Sequence, residues 1–423
     1  MKYQVDDKPP LGQLLLYALQ WWVVALPCVI ITGVVTSRLH YGDLGSQIWY
    51  LQKLFVVTGL IGTIQVLWGH KLPLIIGPAT VILVGIVASI SSGIDAIYTS
   101  IFLGGLMVTI LGATNILSKL RVFFTTRIVI VILILIVFTL APIIVRLVSE
   151  SGGTLIFSLL SLLILVSLNE FFKGAQKALT VLVGLILGTI VYGLIFGISR
   201  LPSPEDGAAN IGNHSFFISF SFEPGTILAF IFCFLALMVN ELGSVEAVGR
   251  LLSATDMDRR VKKGVIVAGG GNILSGLTGV IGMVDFSLSA GLVMASGCAS
   301  RYAMVPAWLL LLACGFFPKL IQYLAVIPNA VMGTLLLYTM VSQFGSGLSM
   351  LVKDRAVTDF KTGCTIGLPL LVGLAIAFSP EAIFEDFPAL LRPIVQNGFV
   401  MGAFMVIFLE HLVFRDWGKR EKP

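Results

Sequence analysis

Charge is what this 423-residue chain has least of. Lys, Arg, Asp and Glu together make up 12% of it, where a soluble domain carries about 25%. So few ions cannot cover a water-facing surface. Histidine is rarer still: His40, His70, His214 and His411 all lie at the ends of apolar runs or between them, with no pair at metal-ligand spacing. No metal site is expected from such a set. The five cysteines (Cys28, Cys233, Cys298, Cys314, Cys364) sit inside apolar stretches and form no CxxC. They read as small buried hydrophobes, not as disulfide partners or metal ligands. GxSxG, HExxH and Walker patterns are missing as well. The run Gly269-Gly270-Gly271 follows a basic loop inside an apolar helix, with no strand before it, and makes a poor phosphate loop. These absences argue against an enzyme, and no cofactor is expected.

What the chain does have is apolar length. Hydrophobic residues form 57% of it, the mean hydropathy is +1.00, and a membrane span needs about 20 apolar residues. Fourteen segments follow from this: 11–36, 49–68, 75–91, 95–114, 127–147, 153–171, 178–199, 224–247, 263–282, 286–298, 303–317, 320–343, 363–379 and 396–414. The run from Leu11 is too long for a signal peptide and lacks a small-residue cleavage site, so it is expected to remain as the first span. With the N-terminus inside, 21 of the 27 Lys and Arg residues fall on the inner side of the fourteen crossings. That is the bias of a multi-pass protein with both termini in the cytoplasm. The net charge of +5 is therefore a membrane signature, and no nucleic-acid partner is implied.

Two segments are irregular. The third contains Gly77-Pro78, and the tenth is broken by Gly282, Asp285 and Ser287. They lie about 210 residues apart, the same spacing as the starts of spans one and eight after Pro9-Pro10 and at Pro224, which is the pattern of interrupted segments in inverted repeats. The expected architecture is an all-α membrane protein of two inverted seven-span repeats, 1–200 and 201–423, with half-helices in segments three and ten. Small residues crowd spans three, four and nine, while spans five to seven are rich in Ile, Leu, Val and Phe. Small residues let helices approach closely in lipid. The expectation is a compact core of spans 1–4 and 8–11 against a gate of spans 5–7 and 12–14.

Ionisable groups inside apolar spans mark function by default. Span eight holds Asn240-Glu241-Leu242-Gly243-Ser244-Val245-Glu246, in which Asn240 and Ser244 share one helix face and Glu241 lies about 100° away. Glu246 is expected to be an interfacial carboxylate, solvated or paired with Arg250 one turn on. Glu241 is open to two readings, a substrate or proton group and a structural hydrogen bond to the neighbouring broken helix. Asp285 is expected to cap the tenth segment. Thr80, Ser287 and Ser289 should stand near the starts of two half-helices whose free amides face a central cavity.

At these residues the chain resembles the nucleobase–cation symporters of the uracil/xanthine permease type, also called nucleobase–ascorbate transporters. The resemblance is carried by Lys8-Pro9-Pro10-Leu11 with Leu19-Gln20-Trp21, by Val239–Ser244, by Gly291–Arg301 and by Ile327-Pro328-Asn329-Ala330-Val331-Met332-Gly333. It covers almost the whole chain in order. Trp21 stands where that family usually has histidine. Asn240 stands at the family's span-eight glutamate, Ser244 at the polar position four later, Leu288 at its second glutamate, and Thr80 at its span-three aromatic. Gly77-Pro78 is more similar to the sulfate-permease and anion-exchanger family, which has the same fold.

The resemblance implies an elevator-type secondary transporter of a nucleobase such as uracil or xanthine, or a related heterocycle, proton-coupled and working in the cell membrane as a homodimer joined through the gate. The substrate residues it implies are Thr80, Asn240, Glu241, Ser244, Phe286, Ser287 and Leu288, with Glu241 as the proton-coupling group. Two other readings stand beside it. One is a small-anion transporter of the same fold, binding an oxyanion or bicarbonate at the half-helix N-termini; the other is a membrane scaffold that transports nothing.

Overall fold

The computed structural model describes residues 1–114, 123–172, 179–197, 215–286, 289–388 and 391–414. Its α-helices of eight residues or more are α1 (Leu11–His40), α2 (Leu44–Leu67), α3 (Thr80–Ala88), α4 (Ile94–Ala113), α5 (Thr126–Val148), α6 (Gly152–Phe171), α7 (Thr180–Phe196), α8 (Pro224–Leu251), α9 (Met257–Thr278), α10 (Ser289–Ser296), α11 (Met304–Cys314), α12 (Pro318–Ala325), α13 (Asn329–Lys353), α14 (Phe360–Ala377) and α15 (Gly398–Phe408). Eight of them are long and apolar enough to cross a membrane, or nine if the bent pair of α11 and α12 is one span. The apolar helices α7 and α15 are shorter.

Local chemistry sets the helix ends. Pro10 precedes α1, and Pro224 occupies the first turn of α8, where a missing N–H costs nothing. Asp43 accepts the Ser46 amide to open α2. Ser151 and Asp359 form capping boxes for α6 and α14, and the amide of Thr362 holds the Asp359 carboxyl below its usual range. Gly279, with φ +67°, ends α9 in the left-handed region, a conformation without steric penalty only for glycine.

The irregular segments are not purely helical. Ile75–Pro78 (β1) and Met283–Phe286 (β2) pair as an antiparallel two-stranded sheet, with Ile75 opposite Phe286 and Pro78 opposite Met283. The all-α expectation is corrected here. Each chain break frees backbone groups, and the two breaks satisfy one another. A second correction concerns 303–343. Instead of two straight runs there are three pieces, with an 84° bend between Arg301–Cys314 and α12, followed by α13. Pro318 begins α12 and Pro328 precedes α13, and neither can continue a preceding helix.

Packing divides the helices into two groups. In one, α9 lies along α4, α11 along α2, and α8 against α3 and α4. The contacts are glycine-mediated: a Cβ added at Gly276 would meet the backbone of Phe102, and one at Gly62 would meet the Trp308 ring. In the other group, α13, α14 and α15 gather on α5, with α6 on α13. Leu159, Leu163 and Leu194 on α6 and α7 are exposed, as side chains facing lipid would be. Arg38, at the end of α1, links the groups by donating to Asn329 and to the carbonyls of Ala325 and Ile327 at 2.8 and 2.6 Å. Asn329 in turn donates to Glu150 at 2.6 Å.

Two glycines of α9 separate packing from propensity. Alanine at Gly270, with nothing within 4 Å of the new Cβ, is expected to hold or raise the thermal midpoint, because alanine favours helix by up to about 1 kcal/mol. Alanine at Gly276, pressed on backbone, should lower it by the equivalent of about 1–3 kcal/mol. Thermal unfolding followed by size exclusion in detergent reads both. Equal midpoints would show that α9 and α4 do not pack this closely.

Candidate substrate site at the strand crossing

The crossing is assembled from four elements. β1 leads directly into α3 and β2 into α10, and because the strands are antiparallel, the two helix N-termini face one another across the sheet. The ends of the paired strands are about 10 Å apart, three residues at about 3.3 Å each. The positive ends of both helix dipoles therefore point into one region. Thr80 opens α3 and Ser289 opens α10.

Side chains from flanking helices hold the sheet. Asn272 of α9 donates to Met283 O at 3.0 Å and accepts its amide at 2.9 Å. The Tyr50 hydroxyl of α2 accepts the Ile281 amide at 3.0 Å. Ser289 accepts the Ile75 amide at 2.9 Å and donates to Phe286 O at 2.6 Å. Glu241 of α8 accepts the Asp285 amide at 2.9 Å. The structural hydrogen bond from Glu241 to the broken segment is therefore present, with the carboxylate fully buried.

Behind the sheet lies a buried polar group. The Gln65 side-chain amide lies 3.4 Å from a Glu241 oxygen, 3.3 Å from Asp285 Oδ2 and 3.0 Å from the Gly264 carbonyl. His70 Nε2 is 3.2 Å from Asp285 Oδ2, while its Nδ1 accepts the Leu72 amide at 2.9 Å. A nitrogen that accepts cannot carry the proton. The ring is thus neutral, with its proton on Nε2, which stands beside Asp285 without making a hydrogen bond among the described residues. Arg260 is spent on the carbonyls of His70 and Lys71, at 3.1 and 2.9 Å. Among the described residues no Lys or Arg forms an ion pair with Glu241 or Asp285. Two neighbouring buried carboxylates without a cation cannot both ionise cheaply.

Of the residues expected at the site, Asn240 and Thr80 are half-buried, as is Phe286 at the end of β2, and Ser244 is fully buried. Ser287 and Leu288 lie outside the described residues. Asp285 does not cap a helix: it is the third residue of β2 and its carboxylate turns to His70 and Gln65, because the segment begins as a strand and its helix starts only at Ser289. Glu246 does pair with Arg250, at 3.2 Å. The sequence reading missed Gln65 and His70. A glutamine within the apolar run Ile61–Leu67 was the available signal, since an amide there needs partners. Gln65 Oε1, Ser244 Oγ and Asp285 Oδ1 are buried without a hydrogen-bond partner among the described residues, so the region retains polar capacity.

Replacing Glu241 tests the pin on β2. Leucine leaves the Asp285 amide unpaired and should cost about 1–3 kcal/mol. Glutamine keeps a carbonyl acceptor and should remain near the wild-type midpoint. Thermal unfolding in nanodiscs compares the two, and equal losses would remove the pin from the account.

Known proteins match this chain at length. A family model described as Permease family covers residues 12–382. The nucleobase transporter PlUacP of Paenibacillus larvae is 27% identical, over 91% of this chain and 90% of its own. The uric acid permease PucJ of Bacillus subtilis is 28% identical, over 89% and 87%. Among solved structures, the transmembrane domain of a cyanobacterial bicarbonate transporter, BicA, superposes with a TM-score of 0.58 at 17% identity, covering 88% of this chain and 98% of its own. Murine Slc26a9, an anion transporter in the inward-facing state, gives 0.61 at 14%, covering 96% and 69%. At such identities the structures speak for the fold alone.

Proposed function

This chain belongs to the permease family of the uracil/xanthine type, and from that premise we propose that it is an elevator-type secondary transporter of a nucleobase or a closely related oxo-heterocycle. The observation that carries the reading is the strand crossing, where two helix N-termini face one region beside Asn240 and Ser244 of α8. A base presents carbonyl oxygens that such amides can receive and N–H groups that an asparagine carbonyl or serine hydroxyl can accept. Thr80, Phe286, Ser287 and Leu288 complete the proposed contact set. The two packing groups are taken as core and gate, with fourteen segments in two inverted repeats. The core slides against a gate through which two copies pair in the cell membrane, with both chain termini in the cytoplasm.

Coupling is assigned to Glu241 with Asp285. Neither needs to touch the base. Glu241 grips the backbone of β2, so its protonation state reaches the substrate through the strand and α10. Glu241→Gln, fixed in the neutral form, should leave counterflow exchange intact and remove accumulation driven by a proton gradient. Equal wild-type uptake into proteoliposomes with and without the gradient would refute proton coupling.

Asn240→Leu should weaken base binding tenfold or more, since an unreplaced buried polar contact is worth about 1–3 kcal/mol and 1.4 kcal/mol is a factor of ten. Equilibrium binding of labelled uric acid, xanthine and uracil measures this, and unchanged affinity would move the substrate elsewhere.

A second reading has its own support. The crossing with its two positive dipole ends lies in a fold like that of a bicarbonate transporter, and the neutral Asn240 would not repel an anion. Uptake of bicarbonate or sulfate, with none of the three bases, would favour it.

A further inference from the structure

A cavity lies well away from the crossing. It has a volume of about 220 Å³ and sits where α1 hands over to α2, between the first turns of α2 and α4, the end of α9 at Gly279, and the segment 215–219. The charge bias of the sequence puts this end outside. Along α2 it is twelve residues, or about 18 Å, from Gln65.

Its unusual member is Lys53. The residue is 7% exposed and makes no hydrogen bond or ion pair among the described residues. Lysine is almost never buried unless paired, because removing an ammonium from water is costly. What Lys53 does have is an aromatic face: its Nζ stands 5.9 Å from the centroid of the Trp49 ring. A cation–π contact of that kind is worth only about 0.5–2 kcal/mol, which leaves the ammonium short of partners. Gly279 keeps it reachable, since a Cβ there would come 3.6 Å from Nζ.

The other walls define what would complete the lysine. Tyr41, Trp49 and Phe217 supply aromatic surface, and Ser219 supplies a hydroxyl. Asp95 lines the cavity from an exposed position, beyond ion-pair distance of Lys53. A cation at depth, aromatic walls and one carboxylate at the rim suit a flat ring with an oxygen at one edge and N–H groups at the other. The rim carboxylate disfavours a ligand bearing more than one negative charge.

We propose that this cavity is a second binding site for the transported class of molecule, a planar oxo-heterocycle, neutral or singly anionic. Its oxygen meets Lys53, its face lies on Trp49 and its N–H edge points to Asp95. The identity of the ligand rests on the nucleobase reading above, while the site itself rests on the lysine and its surroundings. Occupied from outside, it would hold substrate ahead of the crossing.

The test is equilibrium binding of labelled uric acid to the full-length protein in nanodiscs. Wild type should bind two molecules per chain. Lys53→Met should bind one, Lys53→Arg two, and Asn240→Leu one that is lost when Lys53→Met is added. Because Nζ faces the cavity and makes no bond that the fold depends on, Lys53→Met should keep the wild-type thermal midpoint, which separates loss of a site from loss of folding. Binding in Lys53→Met identical to wild type overturns the proposal. Failure to bind uric acid, xanthine or uracil at all also overturns it. If Lys53→Met loses a site while Asn240→Leu changes nothing, the outer site stands and the central assignment falls.

Discussion

Every backbone N–H and C=O inside a bilayer must find a partner within the protein, and the strand crossing is where this chain meets that demand at its hardest point. Two segments stop being helical in the middle of the core, and each exposes a stretch of unpaired backbone. Neither can be satisfied alone. The β1–β2 pair satisfies both at once, and Asn272, Tyr50, Ser289 and Glu241 take the groups that remain at its edges. Gly282 serves the same end: a Cβ there would run into Asn272 Oδ1, so its absence lets Asn272 reach Met283. The facing N-termini of α3 and α10 follow from the pairing and need no further cause.

Much of this was legible in the residues, in one dimension. Apolar length gave the helices, and Gly77-Pro78 and Gly282 gave the two breaks. What periodicity cannot supply is the partner across 200 residues, so the sequence shows two interrupted segments with half-helices but not their strand pairing, and Asp285 reads as a cap. The bend before α12 was lost for a similar reason: a Pro-punctuated apolar run has the same composition whether it crosses straight or folds over. Attention to intramembrane acids found Glu241 but passed over Gln65 and His70, because an amide and a neutral imidazole carry no charge to flag them. In lipid their hydrogen-bonding demand is as binding as a charge.

The departures from the family's usual residues become intelligible in three dimensions. Asn240, half-buried on α8, leaves the proposed substrate face of that helix without a carboxylate. One residue along α8, Glu241, together with Asp285 of β2, places two fully buried carboxylates against the sheet. Acidity has been kept within the core and moved off the face proposed for the substrate. In the proposed mechanism this separates the group that holds the proton from the groups that hold the base, and the link between them is backbone.

The strand pair also has a history in time. β1 and β2 are separated by some 200 residues, so closing the loop between them costs about 5 kcal/mol of chain entropy on a logarithmic scale. At about 5–20 residues per second, β1 would emerge from the ribosome about 10–40 s before its partner exists. During that interval the first broken segment has no way to complete its own hydrogen bonds in hydrocarbon. It must remain shielded by water, by the insertion machinery or by α2 until the second half of the chain arrives. The feature that makes the finished core possible thus makes the half-made protein its most vulnerable form.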